Sequence, residues 1–446
     1  MAQLNQPQSQ GSDPDFTRSP VPNHARMPRF GLTMAWWSVC SAMFWLVVSA
    51  TLALHYGTLN TLAGLVLSAA CFSLINGVIS RYAIRTGLSV GLFSQTLFGR
   101  SGAALATLIF FATAIYYGVF EGSVIAVAIQ AYFPSLTLNQ AYLLVVLYSV
   151  PLVLGSVQRW LDKLNGVLLP FYLLGLATAV VMTLNTYGYS HAWLELGPEG
   201  GAPADGWWHC FTTFMGVWIL MMYTWDYARF GKTEDTGYHA RFNFGLPFYL
   251  FTFVLNGVVG IFLAASIPTD GAVTEVSVVL ALLKLMGFAG LMFVWVSQTR
   301  INTANFYLAT VNLQSCVEKG LTLRLSKLVC GGLVGGIVYL LMLTDVFAFI
   351  LQALAYQGIF VVAWVGIALS HICFDGDTLC HGEQAPAIRG AGVGTWFVAA
   401  GLGIGCLEAG GDWAHWSAPV SVLSAFGLYS LFNRKVPAGA PKQEQV

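Results

Sequence analysis

Trp295-Val296-Ser297-Gln298-Thr299-Arg300-Ile301-Asn302-Thr303-Ala304-Asn305 is the stretch that decides the fold. It lies inside an apolar run, 286–311, and a helix needs about 20 such residues to cross a bilayer. Within that run Gln298, Asn302, Asn305 and Ala309 fall on one helical stripe, and Ser297, Arg300 or Ile301, and Ala304 fall on another. Lipid tails offer no partner to a guanidinium or an amide, so a crossing helix of this kind faces a cavity or polar neighbours. The competing reading has Arg300 low enough in the membrane for its stem to carry the charge out to the headgroups.

The rest of the chain fits a membrane setting. Of its 446 residues 57% are hydrophobic and 9% charged, against about a quarter charged in a soluble domain. Most of that apolar surface must face lipid. Twelve runs have the length to cross: 32–54, 60–80, 103–131, 141–157, 165–187, 208–228, 243–266, 286–311, 327–344, 346–370, 390–409 and 414–432. Arg159, Asp162 and Lys163 separate the fourth from the fifth; Glu195, Pro198, Glu199 and Asp205 follow the fifth; Arg229 to Arg241 follow the sixth. The chain is therefore expected to be an all-α integral membrane protein of the inner membrane with twelve transmembrane helices.

Basic residues orient such a protein. With the N-terminus inside, all of the 20 Lys and Arg fall in cytoplasmic segments except Arg300, within the eighth run, and Lys284, at its outer edge. The outer loops carry Glu195, Glu199, Asp205, Asp270, Glu275, Asp345 and Asp412. Residues 1–30, polar and proline-rich, read as a cytoplasmic tail without a cleavable signal peptide, and 433–446 as a second one. Between them lies a single membrane domain, 31–432, divided as 31–187, 208–370 and two C-terminal helices in 390–432. Zero net charge gives no case for nucleic acid as a partner.

Glu121, inside the third run, is the second ionisable group at mid-membrane; it shares a helix face with Thr113, Tyr116, Tyr117 and Phe120. It reads as a substrate-facing or proton-carrying carboxylate, against the plainer role of a hydrogen-bonding group between helices. Asp226 and Arg229, three apart at the end of the sixth run, read first as a helix-end ion pair and second as a gate. Tyr116, Tyr117 and Trp218 have the flat faces to stack a ring. The Cys residues at 40, 71, 210, 316, 330 and 406 read as small apolar fillers. His371, Cys373, Cys380 and His381 cluster, but without the paired C-x2-C spacing of a zinc knuckle a plain polar loop is favoured and no metal or other cofactor is expected.

Four stretches together resemble the nucleobase:cation symporter-1 family, in its cytosine and purine permease branch. They are Pro20-Val21-Pro22 with Arg26; Thr86-Gly87-Leu88-Ser89 followed by Phe98-Gly99-Arg100; Asp226-Tyr227-Ala228-Arg229-Phe230; and the Asn-rich segment from Asn302 to Asn312. The match runs in order across the first ten spans. The resemblance implies a five-plus-five inverted repeat of the amino-acid-transporter type with two extra C-terminal helices, and alternating access for a planar heterocycle held between aromatics of spans three and six. By position it gives Tyr116 the stacking place and Thr113 the place of a hydrogen-bonding amide. The aromatic place on span six falls at Val217, beside Trp218, and Ser297 and Gln298 fall where an edge-reading Asn sits. In sodium-coupled members two neighbouring hydroxyl residues of span eight help coordinate the ion with carbonyls of span one. Those places hold Arg300 and Ile301, and a guanidinium cannot coordinate sodium.

The leading expectation is a proton- or substrate-driven secondary transporter importing a nucleobase or related heterocycle such as cytosine, a purine, allantoin or a hydantoin, not coupled to sodium. An amino-acid or amine transporter on the same fold is the alternative, weakened because residues 34–48 contain no Gly for an unwound, carboxylate-binding first helix. A membrane enzyme or receptor comes last, since no metal-ligand cluster, nucleophile elbow or nucleotide loop stands out. Some acid should neutralise the buried cation, and Glu121 is the nearest candidate by helix order.

Overall fold

The computed structural model describes residue 16 and residues 19–153, 157–268, 276–321, 325–344 and 349–433, without the side chains of 157–168, 315, 318–321, 350 and 433. Several sequence readings thus lie outside the described residues: most of the two tails, the side chains of Arg159, Asp162 and Lys163, and Asp270, Glu275, Arg324 and Asp345. Among the described residues all regular structure is helical.

Twelve crossings follow one another: 29–56, 58–86, 90–132, 138–153, 157–187, 206–228, 233–266, 288–321, 327–342, 350–375, 390–409 and 417–433, numbered spans 1 to 12 below. Seven are long and apolar enough to be recognised from length and composition alone. The other five are short (spans 4, 9 and 12), broken (span 6) or interrupted by polar residues (span 8). Spans 3, 4, 8 and 9 pack into one group and spans 1, 2, 6 and 7 into another; span 5 lies against spans 1, 7 and 8, and span 10 joins the C-terminal pair to spans 3 and 6.

Both members of one pseudo-equivalent pair, spans 1 and 6, are interrupted midway. Span 1 consists of Arg29–Trp37, a single 3-10 turn Ser38–Ser41, an extended Ala42 (ψ 128°) and Phe44–Tyr56. Span 6 consists of Gly206–Met215, a turn at 216–218 and Ile219–Ala228. Close packing sets the second break: a Cβ at Gly216 would stand 2.7 Å from the Leu354 carbonyl, and one at Gly358 would stand 2.6 Å from the Gly216 Cα.

Two boundaries differ from the sequence reading, each for a stereochemical reason. The third run was expected to begin at 103, yet helix begins at Val90 and is kinked at Gly99, whose φ of +80° only glycine adopts without strain. Residues 386–389 dock on the kink: Arg389 N–H donates to Phe98 (2.8 Å), and Arg100 and Ser101 donate to Pro386 and Ala387 (2.9 and 2.8 Å). The eighth run was expected from 286, but Gly287 (φ +54°) separates a short helix, Ser277–Met286, from span 8 proper, which starts at Phe288. That short helix carries Lys284, which donates to the Pro268 carbonyl at 2.5 Å, and it packs over spans 1, 3, 5, 7 and 8.

A Cβ at Gly99 would meet the Pro386 and Ala387 carbonyls and the Arg389 nitrogen at 2.8–2.9 Å, in addition to the backbone strain. Gly99→Ala should therefore cost about 1–3 kcal/mol and lower the melting temperature of the purified protein. Gly237→Ala, at an exposed site with nothing within 4 Å, should leave it unchanged. Equal melting temperatures for the two variants would show that the docked loop does not depend on Gly99.

Candidate functional site

A helix broken inside a membrane strands backbone groups that water cannot reach. At the span 1 break three neighbours receive them. Met43 N–H donates to Gln298 Oε1 of span 8 at 2.8 Å. Asn256 Nδ2 of span 7 donates to the Cys40 carbonyl at 2.8 Å, its own Oδ1 accepting from the Tyr172 hydroxyl of span 5 at 2.9 Å. Trp45 Nε1 folds back onto the Val39 carbonyl at 2.9 Å. Arg300 Nη1 reaches Ser41 Oγ at 3.3 Å, and the residue is 2% exposed. Its guanidinium thus stands at the carbonyl end of the first half-helix, where the helix dipole favours a cation. The snorkelling reading of Arg300 does not fit that enclosure.

Beside the break is a cavity of about 40 Å³. Phe44 and Trp45 wall it from span 1, Tyr117 and Glu121 from span 3, Val217, Leu220 and Tyr223 from span 6, and Ile301 and Asn305 from span 8. Glu121 is 1% exposed, and Gln298 Nε2 donates to its Oε2. Span 8 thus connects the span 3 carboxylate to the span 1 backbone through a single amide. The expected Glu121–Arg300 contact is replaced by Glu121–Gln298, because Arg300 turns to Ser41 instead.

Two polar atoms in the wall, the Tyr223 hydroxyl and Asn305 Nδ2, are buried without a hydrogen-bond partner among the described residues, and the Tyr117 hydroxyl lies beside the Gln357 side chain. Buried polar groups are nearly always paired, so two exceptions in one cavity mark a place that receives polar atoms from elsewhere. Thr113 Oγ1, Ser297 Oγ and Trp218 Nε1 are likewise buried and unpaired, but these residues do not line the cavity. Tyr117 rather than Tyr116 turns into it, meeting Phe44 edge-on at 5.4 Å between ring centres, with Tyr116 behind at 5.1 Å. Asn302 points to span 4, its Nδ2 3.4 Å from Ser149 Oγ. Sequence reasoning missed Phe44, Trp45, Tyr223 and Asn256. Asn256 carried a signal, a lone amide within the apolar run 243–266; the aromatics carried none, because Ala42-Met43 does not announce a break.

Asp226 and Arg229 belong to a separate assembly on the face that carries the N-terminus. Asp226 Oδ1 accepts the Val90 N–H at 2.9 Å and so caps span 3, while Trp225 Nε1 donates to the Leu88 carbonyl at 3.0 Å. Arg26 donates to the carbonyls of Ile84 (2.7 Å) and Gly231 (2.6 Å). Val21 N–H reaches the Gly87 carbonyl at 2.9 Å and Met27 N–H that of Phe230 at 2.7 Å. Arg229 Nε lies 3.6 Å from Asp226 Oδ1. Three of the four resemblance motifs therefore meet in one collar closing that face. His371 and Cys380 do not converge: His371 Nδ1 is 3.4 Å from the Tyr429 hydroxyl, and Cys380 Sγ donates to the Gln384 carbonyl at 3.0 Å. Among the described residues no three His, Cys, Asp or Glu side chains gather about a point that would hold a metal.

No family model matches the sequence, and no curated protein sequence matches it. Solved structures do match in fold. A sodium-coupled sialic acid symporter in a substrate-bound outward-open state aligns at TM-score 0.52 and 11% identity, over 94% of this chain and 92% of that one. A manganese transporter of Eremococcus coleocola aligns at 0.54 and 15%, over 95% and 98%. Mhp1, a nucleobase-cation-symport-1 family transporter, aligns in its inward-facing conformation at 0.75 and 13% identity, and in a closed conformation with bromovinylhydantoin bound at 0.73 and 14%, each over 94% of both chains. At these identities the likeness is one of fold: this chain has the five-plus-five fold with two added C-terminal helices that the motifs led one to expect, and shares it with a member of the family that those motifs resemble.

Proposed function

We propose that the chain is a nucleobase:cation symporter-1 type transporter of the inner membrane, not an enzyme, which imports a small planar nitrogen heterocycle of the cytosine, purine, allantoin or hydantoin kind by alternating access. The observation that carries this reading is the cavity at the span 1 break, with aromatic walls and, in the Tyr223 hydroxyl and Asn305 Nδ2, unpaired polar atoms for a ring edge. The fold shared with a transporter holding a bromovinylhydantoin supports it. Basic loops support cytoplasmic termini, and the course of the chain supports the division into 31–187, 208–370 and 390–432. The cavity wall contains no Lys, Arg or His to meet an amino acid's carboxylate, which weakens the amino-acid alternative. An amine remains compatible with Glu121 and is separated by including amines in the same uptake panel.

Arg300 stands at the break where a coupling cation would tie spans 1 and 8, and it supplies that charge covalently. Transport should therefore not need sodium. Uptake of radiolabelled cytosine, hydantoin or allantoin into proteoliposomes is expected to be equal in choline and sodium buffers, and strict sodium dependence would reject the assignment of Arg300. A second expectation concerns the unpaired Tyr223 hydroxyl. Removing a buried hydroxyl that has no partner costs no stability, whereas losing a bond to a ligand costs about 0.5–1.5 kcal/mol. Tyr223→Phe should keep the melting temperature and weaken ligand binding correspondingly. A variant that melts earlier yet binds as before would remove Tyr223 from the site.

A further inference from the structure

Gln298 fixes the polarity of Glu121. The Met43 backbone N–H can only donate, so the Gln298 atom at 2.8 Å from it must be the amide oxygen. The other end of that amide is then an NH2 group, and Glu121 Oε2 is obliged to accept from it. The usual ambiguity of an amide's orientation is removed by the backbone bond. The bond from Gln298 occupies Oε2, and Glu121 lines the cavity, which leaves Oε1 as the oxygen for a ligand to meet.

No cation shares that wall, and a carboxyl enclosed by apolar groups is carried at least cost as the neutral acid. Since Oε2 is engaged as an acceptor, the proton of the neutral acid sits on Oε1. We infer that Glu121 binds the coupling proton on Oε1 and donates it in a hydrogen bond to an acceptor atom of the ligand, a ring carbonyl oxygen or an unprotonated ring nitrogen, so that proton and ligand occupy the site together. The proton arrives on Oε1 from the solvent on the side of entry and leaves from Oε1 once the ligand has gone. The ionised carboxylate would instead repel such an atom, so neither partner is held well alone. Other titratable or charged groups on the surrounding elements are Tyr116 and Tyr117 of span 3, Tyr223 and, beyond it in the collar, Asp226 of span 6, Cys40 of span 1 and Arg300 of span 8; spans 4 and 9 set Val145 and Met342 nearest Gly122. Phenol, thiol and guanidinium groups ordinarily keep one charge state between about pH 5.5 and 7.5. Proton linkage in that window that Glu121→Gln abolishes and Asp226→Asn leaves in place therefore reports on Glu121.

The assignment rests on the cavity being the substrate site proposed above, and the test separates the two. The full chain in nanodiscs is titrated calorimetrically with hydantoin, uracil, cytosine and allantoin in two buffers of different ionisation enthalpy, which counts protons without any substitution. At a pH where the unliganded Glu121 is ionised, binding should take up one proton per ligand, and below that pH uptake should fall toward zero because the proton is already in place. Affinity should accordingly fall with rising pH, by up to about tenfold per pH unit once the unliganded site is ionised. Glu121→Gln keeps an acceptor for Gln298 and presents a permanent NH2 donor to the cavity. It should bind with a flat pH profile and exchange ligand across proteoliposomes, yet fail to accumulate it under a pH gradient. If a ligand binds the wild type with no proton uptake at any pH and with an affinity that does not fall as pH rises, or with proton release, or if Glu121→Gln still accumulates ligand under the gradient, the proton assignment is overturned and the heterocycle reading stands. If none of the four ligands binds, the heterocycle reading falls and this inference falls with it.

Discussion

Everything around the site follows from one constraint: the backbone of span 1 is opened at Ser41-Ala42-Met43 in a place without water, and each group it frees needs a protein partner. The partners come from different helices. Gln298 of span 8 takes the Met43 N–H, and Asn256 of span 7, itself fixed by Tyr172 of span 5, takes the Cys40 carbonyl. Meeting that requirement draws spans 5, 7 and 8 around the middle of span 1. The cavity lies beside this junction, so the residues that repair the break also position the wall of the site.

The two four-helix groups also meet on the face of the N-terminus, where Asp226 of span 6 accepts the Val90 N–H at the start of span 3 and Trp225 donates to the Leu88 carbonyl just before it. Arg26 reinforces one side of this collar by tying the end of span 2 to Gly231 after span 6. Beside the cavity, the hydrogen bonds between the groups among the described residues include Met43–Gln298 and Arg300–Ser41. A neutral bond contributes about 1 kcal/mol net and one to a charged group more. The groups are thus bonded at two levels along the membrane normal, and three resemblance motifs lie at the level of the collar.

Much of this architecture was legible in the letters, and what was not has a physical cause. Length, apolarity and the basic loops gave the crossings, because lipid imposes those rules residue by residue. Glu121, Gln298 and Arg300 stood out because ionisable and amide groups are rare in an apolar run. Their pairing did not, since which polar group meets which depends on helix rotation: Arg300 was expected on Glu121 and instead reaches Ser41. The break in span 1 was invisible because Ala42-Met43 contains no glycine or proline; its geometry is imposed from outside, by Gln298 and Asn256. Tyr117 and Tyr116 are adjacent, and a turn of about 100° in the helix decides which one faces the cavity.

If the chain is a transporter of the proposed kind, Arg300 changes what can drive it. A diffusible cation at the carbonyl end of the first half-helix ties spans 1 and 8 together only while it is bound, so its concentration gradient can bias the conformational equilibrium. A guanidinium carried on span 8 is always there. It supplies the same attraction to the helix end but has no gradient and contributes no driving force. Any energy coupling must then come from a group that changes its charge within the cycle. Among the residues lining the cavity Glu121 is the one acid, and it is joined to the span 1 break through Gln298. A change at Glu121 therefore reaches, through one amide, the backbone bond that holds the two helix groups together at the site. On the proposed reading, the permanent cation and the titratable acid divide between them what a bound sodium ion would do alone: one holds the broken helix, and the other senses the gradient.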